Sequence, residues 1–361
     1  MRIAMLGLSI TSSWGNGHAT TYRGLVRELD ALGHRVTFLE RNVPWYADHR
    51  DLAQPPFGRT FLYSGFDELR TRFRDEVAHA DAVIVGSYVP DGIQVGDWVQ
   101  QTANGTTAFY DIDTPVTLAQ LAAGTCDYLA PRLVPGYDVY LSFTGGPTLQ
   151  RLEREFGSPC ARALYCAFDP SHYHPEPATP RWDLGYLGTW SADRQPKVDR
   201  LLVEPARRWP EGRFVVGGPM YPESIAWPAN VERREHVAPG EHRAFYTRQR
   251  FTLNVTREDM VRAGWSPSVR LFEAAACATP IISDRWPGIE SLFRPGSEIL
   301  LADSADDVLA LLTGMDETER TAIGRRARQR VLAEHTAAHR AAELVDALSE
   351  ARAVAARADI A

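Results

Sequence analysis

Cysteine is scarce in this chain of 361 residues: there are four, Cys126, Cys160, Cys166 and Cys277, with no CxxC spacing. That excludes a disulfide framework and a thiolate zinc site, and it fits the reduced thiols of a cytoplasmic protein. No stretch approaches the roughly 20 apolar residues that a membrane helix needs, and the apolar start, Met1 to Ile10, lacks a signal peptide's layout. Basic residues are in deficit too, with 39 Lys and Arg against 46 Asp and Glu and a net charge of −7, which argues against a nucleic-acid surface. GxGxxG, heptads, low-complexity tracts and repeats of fixed period are all absent.

What is present is alternation. Arg2 to Leu8 reads as a strand, followed by a loop rich in Ser and Gly and then by helical periodicity from Thr20 to Leu32, stopped at Gly33. Further strands fall at Val36–Glu40, Ala82–Val85, Thr107–Tyr110 and Val139–Phe143. Strands spaced by helices imply a parallel sheet covered on both faces. The segment Asp169 to Pro180 is polar, holds four prolines and reads as a linker. The pattern then restarts, with strands at Leu184–Gly188, Phe214–Gly218, Phe251–Val255, Pro280–Ser283 and Glu298–Leu301, and a helical tail from Asp316. The length suits two domains better than one core. We therefore expect an α/β protein of two doubly wound domains facing a central cleft. The first spans 1–168, the linker 169–182 and the second 183–335; a C-terminal helix, 336–361, is free to pack back on the first.

Candidate site residues sit at strand ends. The first loop contains Gly15-Asn-Gly-His18. Gly17 permits close backbone approach, and His18 lies where open α/β sheets bind ligands and where a histidine can act as a general base. The plain alternatives are a flexible first turn and a surface histidine. Glu40 is the acidic residue at the next strand's end. Asp111 and Asp113, two apart in an extended chain, face one side; Asp113 is the better functional candidate, against a turn-forming role. No metal site follows from that spacing. After the linker, the Gly188-Thr189 turn offers backbone donors, and Arg194 and Lys197 offer cations for a diphosphate. Solvated charges at a helix start are the bland reading of the same residues. Gly217 ends another strand. Trp190, Trp265 and Trp286 suit a nucleobase stack or, more simply, core and wall.

The densest segment is Ser266 to Asp284, a helix followed by a buried strand. Ser266 reads as its cap and Pro267 as its first turn. Ser266, Arg270, Glu273 and Cys277 share one face among Val, Leu, Phe and Ala. Buried polar residues need partners, and a helix N-terminus beside them suits a phosphate. Glu273 can accept both ribose hydroxyls, while Arg270 can meet phosphate or pair with Glu273.

These residues resemble glycosyltransferases of the two-domain GT-B fold, and more narrowly the CgeB-like group related to group 1 transferases. The match is strongest at Ser268-Val-Arg-Leu-Phe-Glu-Ala-Ala-Ala-Cys-Ala-Thr-Pro280, similar to R-x-F-E-x-x-A-C-G. Gly296-Ser-Glu-Ile-Leu300, the passage from Phe168 to Gly188, and Gly17-His18 with the helix after it add to it. The resemblance implies a UDP-, GDP- or dTDP-linked sugar bound by Gly17, Gly188, Thr189, Arg194, Lys197, Gly217, Ser268, Arg270 and Glu273. It implies His18 at the acceptor, with Asp113 the second catalytic candidate read from the residues, and no metal, no cofactor and a hydroxyl acceptor. Two positions depart from the pattern. Trp265 stands where retaining relatives carry a first glutamate, and Ala278 replaces the motif's glycine. A sugar-nucleotide epimerase on the same fold and a non-catalytic binding or structural protein are the alternative readings.

Overall fold

The computed structural model describes residues 1–15 and 17–358, the last five of these by backbone alone. The chain forms two compact units, the first built from Met1–Cys166 and the C-terminal helix, the second from Ala167–Thr336. Among the described residues no helix is long and apolar enough to cross a membrane.

The first unit holds seven strands: β1 (Arg2–Gly7), β2 (Arg35–Arg41), β3 (Arg59–Tyr63), β4 (Ala82–Gly86), β5 (Thr106–Asp111), β6 (Val139–Ser142) and β7 (Ala161–Ala163). Their order is β3-β2-β1-β4-β5-β6-β7, all parallel. Successive side chains of a strand point to opposite faces. Ile3 and Met5 of β1 accordingly join one core cluster, and Ala4 and Leu6 join the other. Burial on both faces explains the near-continuous apolar runs, such as Ala82–Gly86, in which every residue is buried. Helix α1 (His18–Ala31) ends where Gly33 takes a φ of +82°. Helix α2 (Thr114–Ala123) follows β5.

The second unit holds β8 (Trp182–Leu187), β9 (Phe214–Gly217), β10 (Val231–Arg234), β11 (Gln249–Asn254), β12 (Ile281–Ser283) and β13 (Leu300–Leu301). These form a second parallel sheet in the order β10-β9-β8-β11-β12-β13. Helices α3 (Pro239–Thr247), α4 (Val269–Ala276) and α5 (Glu317–Glu334) belong to this unit. The proline-rich segment from Asp169 also lies in it, where His172 Nε2 meets the Pro239 carbonyl at 2.9 Å and buried Tyr173 meets His242 at 3.2 Å.

Helix α6 (Ala337–Ala358) returns to the first unit and packs on α1. Ala341, Leu344, Ala347, Leu348 and Ala351 enter the core cluster that contains Met5 and Leu25. The approach is close at Gly24 of α1, where an added Cβ would lie 3.1 Å from that of Ala337. β3, β7 and β10 are not marked by the alternation of the sequence, because each is short, at or near a sheet edge, and partly exposed.

Candidate active site

Strand order reverses once in each sheet, at β1/β4 and at β8/β11. Loops leaving the carboxyl ends of such a pair diverge and open a crevice, the usual ligand position in doubly wound sheets.

In the first unit two carboxylates shape the loop after β1. Glu40 accepts the amides of Ile10 at 2.7 Å and Thr11 at 3.0 Å and the Thr11 hydroxyl at 2.6 Å. These bonds engage both of its oxygens, so it braces the loop and is not placed for a ribose. Asp51 accepts the Ser13 amide and both outer nitrogens of Arg23, at 2.8–2.9 Å. Burial opposes its charge, but these bonds hold its carboxyl well below the usual range.

Gly17 is the exposed N-cap of α1, and a Cβ there would meet nothing, so no side chain is excluded at that point. Residue 16 of the same loop lies outside the described residues. His18 opens the helix with Nε2 3.7 Å from Asp113 Oδ2. Asp111 and Asp113 do not face one side. Asp113 donates its backbone amide to Asp111 Oδ1 at 3.2 Å, and the two carboxyls part. Asp111 is fully buried, held by the Tyr140 hydroxyl at 2.6 Å and that of Thr117 at 2.7 Å. Burial outweighs those bonds and pushes its carboxyl up to about 6. Asp113 turns instead toward His18. The Tyr88 hydroxyl also donates to its Oδ2, at 3.3 Å, and the Tyr88 ring lies edge-on to His18 at 5.4 Å. Tyr88 escaped the sequence reading, although its place two residues past a buried strand end was a visible signal.

In the second unit the core of the site is Arg270, buried on α4. Its Nε donates to the Leu187 carbonyl and its Nη1 to Asn254 Oδ1 at 2.8 Å, joining the ends of β8 and β11. The Tyr186 ring lies 5.0 Å below the guanidinium. Among the described residues Nη2 has no acceptor, and it faces Gly188, where an added Cβ would lie 3.0 Å from it. Gly218, at φ +136°, admits no side chain, since a Cβ would come within 2.1 Å of the Gly188 carbonyl. The turns after β8 and β9 are thus pressed together, with Gly188 donating its amide to Gly217 at 2.9 Å.

Several expectations change here. The helix begins at Val269 with Ser268 as N-cap, so Ser266 and Pro267 precede it. Ser268 does not cap with its hydroxyl, which donates to Asn254 at 2.9 Å. Among the described residues Arg270 and Glu273 do not pair. Glu273 accepts the Tyr246 hydroxyl at 3.0 Å and lies 3.8 Å from His242. Arg194 closes its own turn onto Thr189 O and Ser191 Oγ. Lys197 is paired with buried Asp284 at 2.7 Å. Gly188, Gly217, Ser268 and Arg270 therefore come together, while Lys197 and Glu273 have their own partners.

Trp265, at φ +44°, donates its amide to Pro287 O at 2.6 Å, and its ring covers Gly288, where a Cβ would come within 2.5 Å of it. The sequence also missed Arg233, which reaches the Gly218 carbonyl at 3.0 Å beneath the Tyr221 ring at 4.2 Å. Two cavities of the first unit, about 410 and 620 Å³, lie at the amino ends of its strands and are lined by Arg2 and His79, away from His18.

The two parallel sheets match the two Rossmann-like domains of the GT-B fold. Sucrose-phosphate synthase from Thermosynechococcus elongatus is 16% identical at a TM-score of 0.70, over 98% of this chain and 100% of its own. Anabaena HepE, solved with UDP and glucose, is 13% identical at 0.71, over 97% and 100%. An alpha-glucosyltransferase solved with UDP and a 13-mer DNA containing a HMU base is 12% identical at 0.70, over 97% and 99%. Residues 194–346 match the family model described as Glycosyl transferase-like, a span that includes Arg270 and Glu273. No curated protein matches the chain.

Proposed function

We propose that this protein is a glycosyltransferase moving a sugar from a nucleoside-diphosphate donor to an acceptor hydroxyl. The observation that carries the reading is Arg270: a buried cation, fixed by two strand ends, with Nη2 directed at the Gly188 backbone. A fixed guanidinium beside a helix start and tight glycine turns suits a departing diphosphate. The Glycosyl transferase-like match over the same residues supports it. UDP is the first nucleotide to test, because HepE and the alpha-glucosyltransferase were solved with it.

In this reading Glu273 takes the ribose hydroxyls by releasing Tyr246, Thr189 supplies a backbone donor, and Gly188 and Gly217 hold the turn that places it. Arg194 and Lys197 fix the turn and Asp284 and act on the donor indirectly. His18, oriented by Asp113, removes the acceptor proton. Arg270 and the helix end supply the positive charge, so the reaction runs without metal and chelator leaves it intact. The R-x-F-E motif supports a reading within the CgeB-like group. Four free thiols suit a reducing cytoplasm, and the net charge of −7 favours a small or glycan acceptor over nucleic acid.

Calorimetry with UDP, GDP and dTDP tests the donor site. Arg270→Lys keeps the charge but loses the planar fork, so binding of the preferred nucleotide falls about 10–100-fold. Unchanged affinity in a folded variant sinks the assignment. Incubation with UDP-, GDP- and dTDP-sugars separates the alternatives: slow release of nucleoside diphosphate marks a transferase, an epimerised donor the isomerase, and neither a binding protein.

A further inference from the structure

We propose that Tyr88 is a positioning residue that sets the charge balance between Asp113 and His18. The inference rests on reading His18 as the acceptor base. Three observations carry it. The Tyr88 hydroxyl and His18 Nε2 converge on one oxygen, Asp113 Oδ2, at 3.3 and 3.7 Å. Tyr88 adopts φ +63°, a left-handed conformation costly for an aromatic residue, and such outliers persist only where surrounding structure holds them. That hold is present, because its ring packs against Tyr128 at 4.6 Å, and the Tyr128 hydroxyl meets Thr117, which donates to Asp111. The strain therefore aims a hydroxyl at the carboxylate facing His18.

The titratable groups linked to the pair through Tyr88 and Asp111 come from several elements. They are Tyr88 after β4, Asp111 at the end of β5, Cys126 and Tyr128 after α2, and Tyr140 on β6. Of these, Tyr88 alone donates a side-chain hydrogen bond to Asp113. A donated hydrogen bond partly neutralises the oxygen it meets, which weakens that oxygen's hold on a protonated imidazole. Tyr88 thereby tempers the negative charge that faces the imidazole, while holding the carboxylate in place to orient the ring.

NMR titration of the His18 ring, assigned by the signal lost in His18→Ala, reads this without any substrate. Tyr88→Phe is expected to raise the His18 midpoint by roughly half to one pH unit. In an Asp113→Asn background the same change should move it by less than about a fifth of that, as a double-mutant cycle requires. An unmoved midpoint in folded Tyr88→Phe, or an equal shift in both backgrounds, overturns the proposal. The activity of His18→Ala in nucleotide-sugar hydrolysis is read separately. If it stays within tenfold of wild type, the base reading fails, and a catalytic purpose for Tyr88 fails with it, whatever the titration shows.

Discussion

The two units share a topology and differ in what they place at the switch point. The first gathers groups that exchange protons: His18, Asp113, Tyr88 and the buried Asp111 behind them. The second gathers a fixed cation with tight turns and a helix start: Arg270, the Gly188 and Gly218 turns and the beginning of α4. A parallel sheet supplies the place in both cases, and the residues at the strand ends supply the chemistry. In the proposed reading, one fold carries an acid–base site and an anion site in a single chain.

The largest expected effect tests the division itself. His18→Ala should lower transfer by about 10²–10⁴-fold while leaving calorimetric nucleotide affinity within twofold. A comparable loss of nucleotide binding would erase the distinction between the units. Asp111 offers a second test, confined to the first unit. Its folded carboxyl titrates near 6 against an ordinary 3.8. The folded state therefore binds the proton more tightly, and stability is lost as pH rises from about 4 to 6. The loss approaches on the order of 3 kcal/mol. Urea unfolding across that window should show this slope in the wild type and lack it in Asp111→Asn; equal slopes would remove the buried charge from the account.

A smaller effect sharpens the second unit. In Gly188→Ala the new methyl would lie 2.7 Å from the Tyr186 hydroxyl and 3.0 Å from Arg270 Nη2. Both side chains are buried and Arg270 is held at two strand ends, so thermal unfolding should report a cost of about 1–3 kcal/mol, while nucleotide affinity drops about tenfold through a displaced Arg270. The reverse pattern, a large stability loss at full affinity, would make Gly188 a packing residue only.

Much of this was readable in the residues. The central strands announced themselves because parallel strands buried on both faces need unbroken apolar runs. His18, Asp113, Gly188 and Arg270 stood out because each follows or faces such a run. The edge strand β3 and the Tyr88 contact did not, since partial exposure blurs the pattern and a lone tyrosine in a loop carries no spacing rule. The start of α4 was misplaced for a related reason. Ser266 has the right residue type for a cap, but Ser268 is drawn to Asn254 and the helix starts after it.

By itself the sequence determined the alternation of the central strands with helices, the apolar runs that must be buried, and the R-x-F-E segment with tryptophan at position 265. Those follow from local periodicity and from the cost of exposing apolar surface. Tertiary structure alone decided the pairings. Arg270 reaches Leu187 rather than Glu273, 83 residues away in sequence rather than one helical turn. Lys197 meets Asp284, and Tyr88 meets Asp113. A charged group buried at a strand end takes whichever partner the sheet brings within hydrogen-bond distance, and strand order, not chain order, sets that choice.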